Sequence, residues 1–309
     1  AVRGGVSAAA SLLWVPFTLA AAAGQVLRNG AQAQLTAKIG TLGATQVRFV
    51  FGLPFAVAFL GLAHAFTGES LPPVSAAAVG WALLGGVSQI AATALMLIVM
   101  DRRAFGVAYA YIKTEPVLVA VLGAILIGDR LSAPAWLAIG TVTIGVLLVS
   151  TKAGEVRNLV REGRMIATGL AAGAFFGLSA IAFRGAIIAL PEGGFLIRAL
   201  TVVVMGLSIQ TGLLGIWLAL RDRAAFVGAL REWRVSMWAG FLGAFASAGW
   251  FIAFSLTAAA NVRTLALVEL PLAGLLSGRL TGRRMAWREL AGLAVVLAGL
   301  AILLVTAPS

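Results

Sequence analysis

Apolar runs of about twenty residues recur along this chain, separated by short links. One span of α-helix across a bilayer needs about 20 mostly apolar residues, so the spacing constrains the fold more than any motif. Candidate spans lie at 8–29, 43–66, 75–99, 105–127, 133–150, 166–189, 196–219, 235–257, 261–280 and 287–306. Turn signals punctuate them: "TGESLPP", "GDRLSAP", "LPEGG" and "LTGRR". Only 11% of the 309 residues are charged, against roughly a quarter in soluble domains. Such a chain cannot cover a water-facing surface. The fold predicted is an all-α integral membrane protein of ten transmembrane helices. Only Arg3 precedes the first run, without a clear cleavage site. That run is read as a retained helix rather than a signal peptide.

The second half echoes the first. An offset of 154 sets Glu115 on Glu269, Gly128 on Gly282 and Gly145 on Gly299. "GDRLSAPAWLAIGTVTIGVLL" then runs beside "GRRMAWRELAGLAVVLAGLAI". Upstream, "GATQVRFVFGL" lies beside "GGFLIRALTVV", pairing Gly43 with Gly193 and Arg48 with Arg198. The expected units are residues 1–152 and 153–309, five spans each. Five is odd, so the second unit enters from the opposite leaflet and the two form inverted repeats. That architecture belongs to carriers that alternate access around a midplane site.

Basic residues in short loops set orientation. The links after odd-numbered spans hold sixteen: Arg28, Lys38, Arg102, Arg103, Lys152, Arg157, Arg161, Arg164, Arg221, Arg223, Arg231, Arg234, Arg279, Arg283, Arg284 and Arg288. The other side holds four: Arg3, Arg130, Arg198 and Arg263. Odd-numbered links are therefore expected in the cytoplasm and both termini outside. The net charge of +12 is read as this topology signal, with no nucleic-acid partner.

Charges inside apolar runs mark the candidate site. Glu115 and Glu269 fall near the middle of the fourth and ninth spans, where a charge costs about 2.5–3.5 kcal/mol on insertion scales and faces protein or water. Pro116 and Pro271 follow closely. Each deletes a backbone donor and frees a carbonyl, of Ile112 and of Leu267, at a depth where only protein or water can satisfy it. The prolines are hinge or gating candidates. The glutamates are read either as substrate contacts or as structural partners of a basic group. Lys113 has no charged counterpart at the offset. It lies about 200° around a helix from Glu115, so it contacts substrate or snorkels to an ion pair. Tyr111 shares a face with Glu115. Gln25, Arg28, Asn29 and Gln32 share one face of the first span, either as a polar cavity wall or as the helix leaves the membrane. Gln89, Gln210, Trp81 and Trp250 complete the binding candidates; Trp14, Tyr109 and Phe175 are weaker ones. Arg184 is assigned to the interface, as is His64, the lone histidine. Gly85, Gly86, Gly240, Gly243 and Gly249 are read as close-packing positions.

The ten spans in two halves, "TEPVLVAVLGAILIGDRLS" and its weaker copy "VELPLAGLLSGRLTGRR" resemble the drug/metabolite transporter superfamily, specifically its EamA-type permeases. The resemblance implies a central cavity and movement of small metabolites, often export of amino acids or related compounds, with protons or a counter-substrate as coupling partner in some relatives. It also implies an acidic residue after the glycine closing each half's fourth span; Asp129 fits and Arg283 does not. Relatives commonly keep their termini in the cytoplasm, opposite to the charge count here. The function expected is a secondary transporter of a zwitterion or amine in a bacterial inner membrane, with a small-molecule substrate, membrane lipid around it and no cofactor. A channel or lipid-handling protein is the alternative. An intramembrane enzyme ranks last: the chain has no cysteine, no HExxH and no GxSxG.

Overall fold

The computed structural model describes residues 12–100, 115–150, 163–269 and 286–306, and the described residues are almost entirely helical. The elements are α1 (Trp14–Val50), α2 (Gly52–Thr67), α3 (Ala76–Met100), α4 (Glu115–Leu126), α5 (Ala133–Ser150), α6 (Gly163–Ile188), α7 (Phe195–Arg221), α8 (Arg223–Arg231), α9 (Trp233–Leu256), α10 (Ala259–Leu265) with a 3-10 turn at Ala266–Val268, and α11 (Trp287–Val305). Among the described residues six helical stretches are long and apolar enough to cross a membrane, beginning at Lys38, Ala76, Ala167, Phe195, Trp233 and Trp287. Shorter apolar helices cover 115–126, 133–149 and 259–268. Tyr109, Tyr111, Lys113 and Pro271 lie outside the described residues, as do most links after spans three, five and nine.

The first span runs further than expected. α1 does not end at Asn29 but continues to a break at Gly40, whose φ of 72° and ψ of 171° suit a residue without a Cβ. Gln32 Nε2 donates to the Ala44 carbonyl at 2.9 Å. Twelve residues of straight helix would separate these groups by about 18 Å. The chain therefore turns back at Gly40, and Val47 and Arg48 already belong to the returning arm. The second difference is α8, a short helix inside the link "RDRAAFVGALREWR". Asp222 caps it by accepting from the Ala225 N–H at 3.0 Å, and its buried Ala225 and Ala229 lie against the fold.

Helix pairing is set by small residues. α1 packs chiefly on α9, α3 on α6, and α5 on α11. Where α5 crosses α11, a Cβ on Gly145 would stand 2.7 Å from the Val296 side chain and 2.8 Å from the Gly292 carbonyl. One on Gly299 would stand 2.6 Å from Val142 and 3.1 Å from the Ala138 carbonyl. Residue number rises along one helix as it falls along the other, so the two are antiparallel. Without a hydrophobic gradient between lipid and protein, such backbone approach supplies much of the association energy.

Links segregate to two ends. At one, Lys38 pairs with Glu232 at 2.9 Å, joining the Gly40 turn to the α8–α9 junction. At the other, Ser75 Oγ donates to the Ala189 carbonyl at 2.9 Å and the Gly194 N–H to Glu69 Oε2 at 2.5 Å. His64 sits at this end, exposed, its Nδ1 2.6 Å from the Glu69 carbonyl.

Candidate functional site

Two arms of α1 meet α3, α4, α6, α9 and α10 around a cavity of about 60 Å³. Its charged groups are Arg28, Arg48, Glu115 and Arg263. A smaller recess of about 20 Å³ continues from Gln25, Glu115 and Arg263 to Pro116, Leu267 and Glu269.

Glu115 begins the described part of α4, and Arg263 lies on α10. Arg263 Nε donates to Glu115 Oε1 at 2.5 Å and its Nη2 to Oε2 at 2.7 Å. This two-point geometry matches a planar guanidinium to a carboxylate. Arg263 Cζ also stands 5.1 Å over the Trp250 ring, a contact that strengthens as water is removed. Glu115 thus joins an element of the first half to two of the second. Glu269 follows the 3-10 turn Ala266–Val268. Leu267 lies within that turn, and its carbonyl accepts from the Glu269 N–H.

Arg28 and Arg48 come from opposite arms of the Gly40 turn and converge on Gly243 of α9. A Cβ there would be 3.5 Å from both Arg28 Cδ and Arg48 Cβ. Both arginines are buried, 5% and 4% exposed. Arg48 Cζ lies 5.0 Å over the Phe49 ring, and no described carboxylate forms an ion pair with it. Gln25 and Gln89 line the same space. Gln89 is held in place as its Oε1 accepts from Gln210 Nε2 at 2.7 Å. Phe176, Phe183, Phe251 and Phe254 supply an aromatic wall.

Of the residues expected at a site, the structure brings together Gln25, Gln89, Glu115, Trp250 and, in the recess, Pro116 and Glu269. Trp81 goes elsewhere. Its indole packs where a Cβ of Gly185 would stand, at 2.8 Å, filling the α3–α6 seam. Phe175 points outward at 38% exposure. Arg184 is no simple interface residue. It donates to both oxygens of Asp129 at 3.0–3.3 Å and through Nη1 to the Phe254 carbonyl. Gly128, at φ 70°, closes α4 and brings the Asp129 N–H back to the Gly123 carbonyl at 3.0 Å, which aims the Asp129 carboxylate at Arg184.

Orientation counting sets Arg28 and Arg263 in loops, although Arg28 also belongs to the possible polar cavity wall, and Arg48 serves only to align the repeats. All three line the cavity, Arg28 and Arg48 buried and Arg263 half-buried. Arg48 carried a readable signal, a charge within the apolar run "QVRFVFGL". Arg263 carried little, because its depth depends on a helix start that sequence fixes poorly.

Residues 12–151 match the EamA-like transporter family. No curated protein matches the chain. A solved structure described only as the crystal structure of a protein superposes with a TM-score of 0.66 over 97% of this chain and 98% of that one, at 16% identity. That likeness establishes a shared fold along nearly the whole length.

Proposed function

We propose that this chain, whose residues 12–151 match the EamA-like transporter family, is a secondary transporter carrying a small metabolite through the arginine-lined cavity by alternating access. The family consists of membrane transporters, and this reading adds ten spans in two inverted halves, a substrate of the amino-acid or related class, and outward movement across a bacterial inner membrane.

The observation that carries the reading is a cavity of buried charge closed between the two halves of the chain. The exchange expected of inverted repeats supports it. Swapping the halves converts the α1–α9 pair into α6–α3 and leaves α5–α11 on itself. At residue level, the offset of 154 turns Gly145 against Val296 and Gly292 into Gly299 against Val142 and Ala138. A volume of about 60 Å³ is small beside the roughly 300–1,000 Å³ of ligand pockets, as suits a form with its walls drawn in. The Arg184 contacts with Asp129 and Phe254 fit a closure at the end expected to face outside. Even after Arg28 and Arg263 leave the loop count, basic residues favour the end bearing Lys38 and α8, which supports a cytoplasmic position for that end.

Purified protein in liposomes tests this. Saturable uptake of a labelled solute, accelerated by the same solute on the opposite side, is expected of a carrier. Flux rising linearly with concentration would identify a channel. No flux across a broad panel of amino acids, amines and organic acids would refute transport.

A further inference from the structure

We propose that the cavity recognises a carboxylate, seated on Arg48 with Ser179 and Trp250 as supporting donors, and that the remainder of the substrate is apolar or aromatic. This deepens the transporter reading and rests on it for the route the ligand takes.

The argument is one of unmatched groups. Arg263 already spends two donors on Glu115. Arg48 is 4% exposed, lines the cavity and has no carboxylate partner among the described residues. A buried guanidinium left so is costly unless an anion completes it. Two further polar atoms on this wall have no hydrogen-bond partner among the described residues: Ser179 Oγ and Trp250 Nε1. Their residues are 2% and 6% exposed. The indole N–H can only donate and the hydroxyl can donate, so both suit an acceptor oxygen. Two of the acceptors on these walls are already engaged, Glu115 by Arg263 and Gln89 Oε1 by Gln210. An ammonium group therefore finds less here than an anion does. Across the described walls of the cavity and its recess, Arg28, Arg48 and Arg263 face Glu115 and Glu269, an excess of one positive charge that a monocarboxylate neutralises. Phe176, Phe183, Phe251 and Phe254 offer the other end of the ligand a surface that rewards burial of carbon.

Four probes share one ring and differ in their head groups: phenylacetate, phenylalanine, phenethylamine and phenyl phosphate. Binding to the purified protein is measured by equilibrium dialysis with competition. Phenylacetate is expected to bind saturably and phenethylamine at least tenfold more weakly. Arg48→Ala should weaken phenylacetate tenfold or more, with partial recovery in Arg48→Lys. Ser179→Ala, which removes only an unpartnered hydroxyl, should weaken it about threefold. Phenylalanine binding that falls equally in Arg48→Ala supports the same carboxylate seat. The proposal is overturned if phenethylamine binds as tightly as phenylacetate, if phenyl phosphate binds more tightly, if none of the four binds, or if a folded Arg48→Ala binds phenylacetate unchanged. Phenylacetate binding that needs Arg48, without flux in liposomes, would remove the transport reading and keep this one. Saturable flux with no preference for anions would do the reverse.

Discussion

Replacing Glu115 by Gln keeps the side chain's shape and removes its charge. Both partners of the pair are buried, with side-chain exposures of 7% for Glu115 and 15% for Arg263. The glutamine retains one acceptor for Arg263 and loses the second, and the guanidinium is left without its counter-charge. Breaking a buried pair from one side costs about 3–5 kcal/mol. The retained acceptor places the expected loss near the lower limit, about 3 kcal/mol, which is about two decades in the unfolding equilibrium. Arg263→Gln should cost a similar amount by stranding the carboxylate. Removing both charges together leaves two amides able to bond each other, and the double variant should lose no more than either single one. Reversible unfolding in mixed micelles, followed by tryptophan fluorescence, supplies the four free energies of this cycle. The reasoning fails if Glu115→Gln costs less than about 1 kcal/mol, or if the two single losses simply add. Transport by the double variant then separates the roles: wild-type KM means that Glu115 holds Arg263 and does not touch substrate.

Gly145→Ala places a methyl 2.7 Å from Val296, backbone nitrogen included. It should destabilise by about 1–3 kcal/mol, whereas Gly140→Ala on the same helix meets nothing within 4 Å and should be neutral or better in the same unfolding assay. Gly40→Ala puts a Cβ on a backbone at φ 72°; a loss of about 1–3 kcal/mol is expected, checked by the same titration. The chain has no cysteine, so single cysteines report topology directly. Glu192→Cys should react with a membrane-impermeant maleimide in intact cells, and Arg223→Cys only after lysis; the opposite result would invert the orientation.

The legible parts of the fold were those where hydropathy changes abruptly. The span at 133–150 was expected where α5 is found, because "SAP" precedes it and "TKAGE" follows. The first span was cut short because Gln25, Arg28, Asn29 and Gln32 suit an exit into water as well as a polar cavity wall. They lie on a continuing helix, with Arg28 and Gln32 buried against protein, and the reversal waits for Gly40. Nine-residue α8 escaped because it lies along a basic link rather than in an apolar run. At the site, Glu115 announced itself as a charge in carbon-rich surroundings. Its partner, 148 residues away, did not, since local sequence says nothing of which distant helix supplies an answering charge. Trp81 misled for the converse reason. A large aromatic in the first turns of a span suits a pocket or a glycine notch equally, and Gly185 decides between them.

Gly40 sits far from the ligand space, yet it governs what that space can grip. Arg28 rides one limb of the corner and Arg48 the other, and the Gln32–Ala44 bond clamps the limbs between them. The corner therefore works as a caliper whose jaws are two cations. A residue inserted at the bend would reset the width of the jaws and so the size of head group accepted, without altering any side chain that meets the ligand.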